Sequence, residues 1–400
     1  MIQRLTLIAA LISIPFSARS YELNPSKTAS WVSEATHESL TLASLACARA
    51  KANSGQKVDD WNCLPEFMNF AADMDTRWSG AVAGKADPND PQQVELQELI
   101  VGVRWPDDPL GRLATNLPVS AGLHFKLCAD WLKDGYAECG NRFCQSHFGH
   151  MQMLHAMKPS LPWCSQQGPP STSATCAMAD YSVGKSIEAW VRWLAPIGAG
   201  LTKSSDRVFT QETFSNVLFD KTNCSKTYPE DMLVPSLFFV NCRNTKVYKP
   251  WTWGKCPISS PDDPDRLASV LKRKAAGAIL HVIQDSFARG HTFRPAVTGK
   301  DACAARISCT PIAAFNDYAQ QSSKKHGKAD ASPLWDASCF ADARNVDDPI
   351  TAGAKVIHML EGGDPNDAAD RVWEYLSKRV FVEATASKEA TDTATKCFAR

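Results

Sequence analysis

The sequence predicts an all-α protein with irregular, disulfide-stapled insertions. Two observations carry that expectation. Apolar residues recur at helical spacing through most of the chain. Between those stretches lie 14 cysteines, and an even count in an exported chain reads as a disulfide framework.

In chain order, residues 1–20 have the pattern of a secretory signal peptide. Arg4 supplies the positive end, residues 5–16 the apolar core, and Ala18-Arg19-Ser20 a small-x-small cleavage site. A mature chain starting near Tyr21 is therefore expected, secreted or periplasmic. Residues 33–52 follow as a helix carrying Leu40, Leu42, Ala43, Leu45 and Ala46. A second, at 184–194, places Ile187, Trp190, Val191 and Leu194 on one face. The stretch at about 209–256 breaks the pattern. It carries Leu237-Phe238-Phe239-Val240, Val247-Tyr248, Trp251 and Trp253 among Cys224, Cys242 and Cys256. It reads as an irregular or β-rich insertion whose aromatics form local core.

Helix returns at Asp263-Pro264, a cap followed by a first-turn proline. Its core stripe is Leu267, Val270, Leu271, Ala275, Ala278, Ile279, Val282 and Ile283. Residues 312–325, 350–361 and 368–383 read as further helices, with His358 packed among Val356, Ile357 and Leu360. Cys139/Cys144, Cys164/Cys176 and Cys303/Cys309 are each near enough to close a small loop, although sequence leaves the pairing open. No CxxC occurs, which argues against a zinc ribbon. No low-complexity linker or internal repeat divides the chain, so 21–400 reads as one catalytic domain. Without Arg4 and Arg19 it holds 41 basic and 43 acidic residues, which gives no long-range attraction to nucleic acid.

Chemistry concentrates in Gly277-Ala-Ile-Leu-His281-Val-Ile-Gln-Asp285-Ser-Phe-Ala-Arg-Gly290-His291. His281 and Asp285 are one helical turn apart and share a face. Gly277 lies one turn earlier and leaves room above them. Gly290 is the expected helix C-terminus, after which His291 turns back to the same place. Burying a carboxylate and two imidazoles without a cation or partner is expensive, and zinc accepts this ligand set. Further candidates are Thr36-His37-Glu38, Trp105-Pro106-Asp107-Asp108-Pro109, and His326-Gly-Lys-Ala-Asp330 with its own four-residue spacing. Asp108, beside a proline, reads as a turn residue. Asp73 and Asp75 fit a solvated helix face.

This order of motifs resembles the zinc-dependent phospholipase C and S1/P1 nuclease superfamily. It is most similar to the bacterial zinc-dependent phospholipase C branch, over 102–109 and 144–157. The resemblance implies an all-α, multi-helix zinc phospholipase C / P1 nuclease-like domain holding two or three Zn²⁺ ions. By that likeness Asp107, His281 and Asp285 share one zinc. His291, His326 and Asp330 hold a second, and His37 with a bridging Asp285 contributes to a third. The family usually completes the third site with an amino-terminal Trp, whereas the nearest here is Trp31, inside the expected mature start. One more His is expected between Asp107 and His281. His147, in Ser146-His147-Phe148-Gly149, is the first choice, with His155 and His124 as alternatives.

The implied function is a secreted phospholipase C. It would hydrolyse the glycerol-side phosphodiester of phospholipids such as phosphatidylcholine to diacylglycerol and a phosphorylated head group. Clustered zinc suits that reaction because dications neutralise the phosphate and activate water. Asp107 is the implied catalytic residue, orienting or deprotonating the water. Arg104, Arg289 and Arg294 are candidates for holding phosphate. The expected partner is a phospholipid membrane or micelle rather than nucleic acid, and nothing in the sequence sets the oligomeric state. The alternative is an S1/P1-type single-strand nuclease or nucleotidase on the same scaffold. A disulfide-rich binding protein with structural zinc ranks last, because mixed His/Asp sites leave positions for water.

Overall fold

The computed structural model of the chain describes residues 36–67, 86–107, 146–147, 150–158, 183–201, 234–238, 264–295, 308–316, 337–340 and 346–384, with Ala81, Cys144 and Gln321. Among these residues helix dominates and sheet is almost absent. The long helices are α1 (Thr36–Ser54), α2 (Pro91–Arg104), α3 (Val183–Gly198), α4 (Pro264–Asp285), α5 (Pro349–Gly362) and α6 (Ala368–Arg379). Short helical turns lie at Leu64–Phe67, Val234–Leu237 and Ala337–Phe340, with 3-10 turns at Val58–Asp60 and His150–His155.

Asp-Pro pairs set the starts of α2 and α5. Asp90 and Asp348 are extended N-caps, and Pro91 and Pro349 open the helix without needing an N–H partner. The Asp90 carboxylate accepts from the N–H groups of Gln92 and Gln93, and that of Asp348 from Ile350 and Thr351. Each cap contributes about 1 kcal/mol. Pro264 likewise opens α4.

The buried helix α4 packs along α2 and α3, with α1 and α5 closing around it. The α2–α4 crossing depends on two glycines. A Cβ on Gly277 would lie 2.2 Å from the Leu99 carbonyl oxygen, and one on Gly102 would lie 2.3 Å from that of Lys274. The room expected beside Gly277 is therefore filled by the backbone of α2. Just beyond α2, Trp105 stacks on Trp190 with ring centroids 5.6 Å apart and packs against Phe238 at 5.2 Å. Its indole N–H donates to the Leu237 carbonyl at 3.0 Å. Of the 209–256 stretch, 234–238 is described. It forms one short helical turn, and Val234, Leu237 and Phe238 join the core as local packing; the rest of the stretch lies outside the described residues. Trp251 and Trp253 lie outside the described residues.

Three further boundaries differ from expectation. Helix α4 stops at Asp285, and Gly290 lacks the left-handed backbone of a helix-ending glycine. Tight turns carry the chain from Ser286 to His291 instead, through bonds such as Ala288 N–H to Asp285 C=O. Residues 311–316 are not helical. Ala314–Phe315 (β2) pairs antiparallel with Thr292–Phe293 (β1), and Ile312 bridges to Glu383. Pro311 removes a helix-forming N–H, and the neighbouring strand offers the backbone its partners. For the same reason the last helix ends at Arg379, and Glu383 runs extended against Ile312.

Disulfides join Cys47 to Cys63 and Cys309 to Cys339. Cys309 thus pairs across the chain and not with the nearby Cys303. Cys144 is also disulfide-bonded, and no described cysteine is free. The other two suggested pairs, Cys139/Cys144 and Cys164/Cys176, fall wholly or partly outside the described residues. This chemistry fits an oxidising environment. No described helix is long and apolar enough to cross a membrane.

Candidate metal centre

Five histidines and two aspartates, all buried, meet where α1, α2 and α4 approach one another. His37 is the second residue of α1, and His281 and Asp285 occupy the last turns of α4. Asp107 sits in the turn after α2, placed by the anchored indole of Trp105. His155 closes the 3-10 turn. That turn ends in a Schellman pattern, with Ala156 N–H to Met153 C=O at 3.0 Å and Met157 N–H to Gln152 C=O at 3.1 Å. Ala156 takes the left-handed position, φ 49°, where glycine is usual. His291 is held by backbone pairing, because its carbonyl accepts from Asn316 N–H at 2.8 Å.

Asp285 is the hub. Its Oδ2 lies 2.8 Å from His281 Nε2, 2.9 Å from His155 Nδ1 and 3.3 Å from His291 Nδ1. Its Oδ1 lies 3.4 Å from His37 Nε2. Asp107 faces the same ring of imidazoles more loosely. Its Oδ1 is 3.7 Å from both His147 Nε2 and His155 Nδ1, and its Oδ2 is 3.9 Å from His37 Nε2. Among the described residues, three overlapping groups keep their ligand atoms within 4.8 Å of one another: His37/His281/Asp285, Asp107/His155/His281 and His155/Asp285/His291.

The donor set fits a metal ion. Asp285 Oδ2, His155 Nδ1 and His281 Nε2 form a triangle with edges of 2.8, 2.9 and 3.0 Å. A tetrahedral ion with bonds of about 2.0–2.1 Å has edges of roughly 3.3–3.4 Å, so slight expansion admits one. The outer nitrogens point the same way. His281 Nδ1 lies 2.6 Å from the Val103 carbonyl and His291 Nδ1 2.7 Å from the His155 carbonyl. Carbonyl oxygens only accept, so each Nδ1 carries the hydrogen and each neutral ring has its lone pair on Nε2. For His281 that lone pair faces the hub. His155 presents Nδ1 inward, and its buried Nε2 has no hydrogen bond among the described residues.

Electrostatics reinforce the demand for a cation. Burial raises the Asp285 carboxyl, but His291, His281, His37 and His155 outweigh it and hold it well below the ordinary carboxylate range. Asp107 behaves alike: burial opposes, and His281, His147, His155 and His37 prevail. Burial lowers His37, yet Asp285, Asp107 and Gln284 together raise it. Burial and the adjacent His281 push His155 down to about 4 against the pull of both aspartates. The pocket therefore keeps two ionised carboxylates in a buried place, with His155 neutral and protons on the other histidines supplying the balancing charge that a metal ion would replace. Such charge is costly unless a cation compensates it.

Set against the sequence expectations, His37, Asp107, His147, His155, His281, Asp285 and His291 are brought together. His155 belongs to two of the three groups, and His147 stands beside them, its ring 5.0 Å from that of His155. Asp107 gathers with His155 and His281, and His291 gathers with His155 and Asp285. His124, His326 and Asp330 lie outside the described residues, as do Trp31, Asp73 and Asp75. Arg294 is not aimed at a phosphate. Its three nitrogens donate to the carbonyls of Ser286, Thr310 and Val380 at 2.7–3.0 Å, tying three segments together. Arg104 is paired with buried Glu38 at 2.7 Å. His358 is half-buried against Trp61, a packing role. The chain matches no family model, no curated protein and no solved structure.

Proposed function

We propose that this chain is an exported zinc-dependent phosphodiesterase, a phospholipase C acting on the glycerol-side phosphodiester of phospholipids such as phosphatidylcholine. In this reading its fold is the all-α zinc phospholipase C / P1 nuclease-like domain. The observation that carries the proposal is the Asp285 hub. One carboxylate lies within 2.8–3.4 Å of nitrogens from four histidines on separate elements, an arrangement suited to more than one cation. Two or three zinc ions would supply charge neutralisation for a phosphodiester and activation of water.

The chain's own groups then have distinct work. Asp285, ringed by His37, His155, His281 and His291, would help hold the ions. His155, uncharged near neutral pH, offers a lone pair without adding repulsion. Asp107 stays ionised, so it suits orienting a water better than removing its proton. The balanced net charge supports a lipid substrate over a polyanion.

The test offers purified protein phosphatidylcholine, as vesicles and as micelles, and single-stranded DNA at equal enzyme. Phospholipid turnover should exceed DNA turnover, vanish with chelator and return with zinc. Efficient DNA cleavage with phospholipid left intact would replace this reading with the S1/P1-type nuclease. Inactivity of the zinc-loaded protein on both would remove the enzyme reading.

A further inference from the structure

We propose that Gln284 is a positioning residue for His37, its side-chain amide fixing the imidazole tautomer that directs Nε2 into the metal centre. The proposal rests on the metal-centre reading above. Gln284 immediately precedes Asp285 on α4, but it faces α1. It is completely buried. An amide there is costly unless both of its ends are bonded.

Both ends are bonded, and both to α1. Oε1 lies 2.6 Å from His37 Nδ1, and the amide NH₂ donates to Thr41 Oγ1 at 3.1 Å. His37 and Thr41 are one helical turn apart, so the amide spans a single face of α1. The amide stands with its NH₂ toward Thr41 and its oxygen toward His37. An amide oxygen only accepts, so His37 Nδ1 carries the hydrogen, and in the neutral ring that a metal would bind the lone pair falls on Nε2. Nε2 lies 3.4 Å from Asp285 Oδ1 and 3.9 Å from Asp107 Oδ2. With two carboxylate oxygens facing it, that lone pair calls for a cation between them, a proton or a metal ion. The ring plane is fixed separately, by stacking on His281 at 4.2 Å between centroids. The tautomer is what the amide adds.

A purely structural role for Gln284, joining α1 to α4, predicts lost stability and nothing else. The test therefore reads zinc affinity and tautomer. Metal-free full-length protein is titrated with zinc chloride against a chromophoric chelator. His37 is followed by ¹⁵N NMR. Gln284→Met removes the acceptor at similar size, and Gln284→Glu keeps it. The expected result is a roughly 10–100-fold loss of affinity at one bound ion in Gln284→Met, as for other outer-shell partners. Gln284→Glu should restore affinity, and His37 should carry its hydrogen on Nδ1 in wild type. Should Gln284→Met not fold, Thr41→Val carries the test, since it leaves the amide unanchored: weaker zinc binding supports the proposal, and wild-type affinity overturns it. Wild-type affinity in Gln284→Met overturns it alone, leaving the metal centre standing. Absence of zinc binding by wild type removes both.

Discussion

Gly277→Ala adds one methyl group at the helix crossing that aligns Asp107 with His281. The new Cβ would lie 2.2 Å from the Leu99 oxygen, 2.7 Å from Val103 N and 2.8 Å from the Gly102 carbonyl carbon. Ordinary contact begins near 3.4 Å, so the clash exceeds an ångström at Leu99. Every opposing atom is backbone, and none can rotate away. Overpacking of this kind costs typically 1–3 kcal/mol, and rigid neighbours place it at about 3. Alanine recovers about 1 kcal/mol of helix propensity. The net expectation is about 2 kcal/mol of destabilisation. Parting the helices also stretches the 2.6 Å bond from His281 Nδ1–H to the Val103 carbonyl, so metal affinity should fall with stability. Gly362→Ala in α5 is the control. Its Cβ meets nothing nearer than 4.0 Å, and it should be neutral or stabilising by up to about 1 kcal/mol. Urea unfolding followed by circular dichroism measures both, with the slope checked for constancy. A Gly277→Ala protein as stable as wild type, with unchanged metal affinity, would refute the packing argument.

Other expectations follow from single contacts. Asp285→Asn removes the shared charge, so metal affinity should fall by more than the roughly 10–100-fold typical of outer-shell changes while a cooperative thermal melt persists; near-native metal content and activity would count against the hub. Ala156→Gly relieves left-handed strain at φ 49° and should stabilise by about 1 kcal/mol, read as an upward shift in melting temperature. Burial and neighbouring Asp347 raise Asp348 to about 6, so the native state binds more protons than the unfolded chain between pH 4 and 6. Stability should therefore fall as pH rises through that window, by an amount on the order of 3 kcal/mol from this group. Asp348→Asn, which keeps a capping oxygen, should flatten that slope in urea titrations at stepped pH.

Much of the centre was legible because its strongest signal is local. His281 and Asp285 share a helical face by spacing alone, and the apolar stripe beside them fixes which face is buried. The helices at 33–52, 184–194 and 350–361 emerge with ends shifted by a few residues, for the same reason. The α2 helix went unmarked although Asp90-Pro91 announces its start as Asp263-Pro264 does for α4. The rest depended on tertiary structure. His155 reaches the hub through a left-handed alanine, which spacing does not signal. Its carbonyl orients His291 across 136 residues. Residues 312–316 have apolar content that suits helix or strand, and their backbone pairs with β1 and Val382 decided it. Cys309 chose Cys339 over a nearer cysteine because chain distance says little about where loops meet. Gln284 sat inside the quoted motif, but its role is visible only with α1 beside it.

The central claim is that these buried histidines and aspartates form a centre for more than one metal ion. Equilibrium dialysis of metal-stripped, full-length protein against zinc, with bound metal counted by mass spectrometry, tests it most directly. The account predicts at least two zinc ions per chain, removable by chelator and restored on re-addition. Fewer than one ion per chain at saturating zinc, in a protein that remains folded, would contradict it.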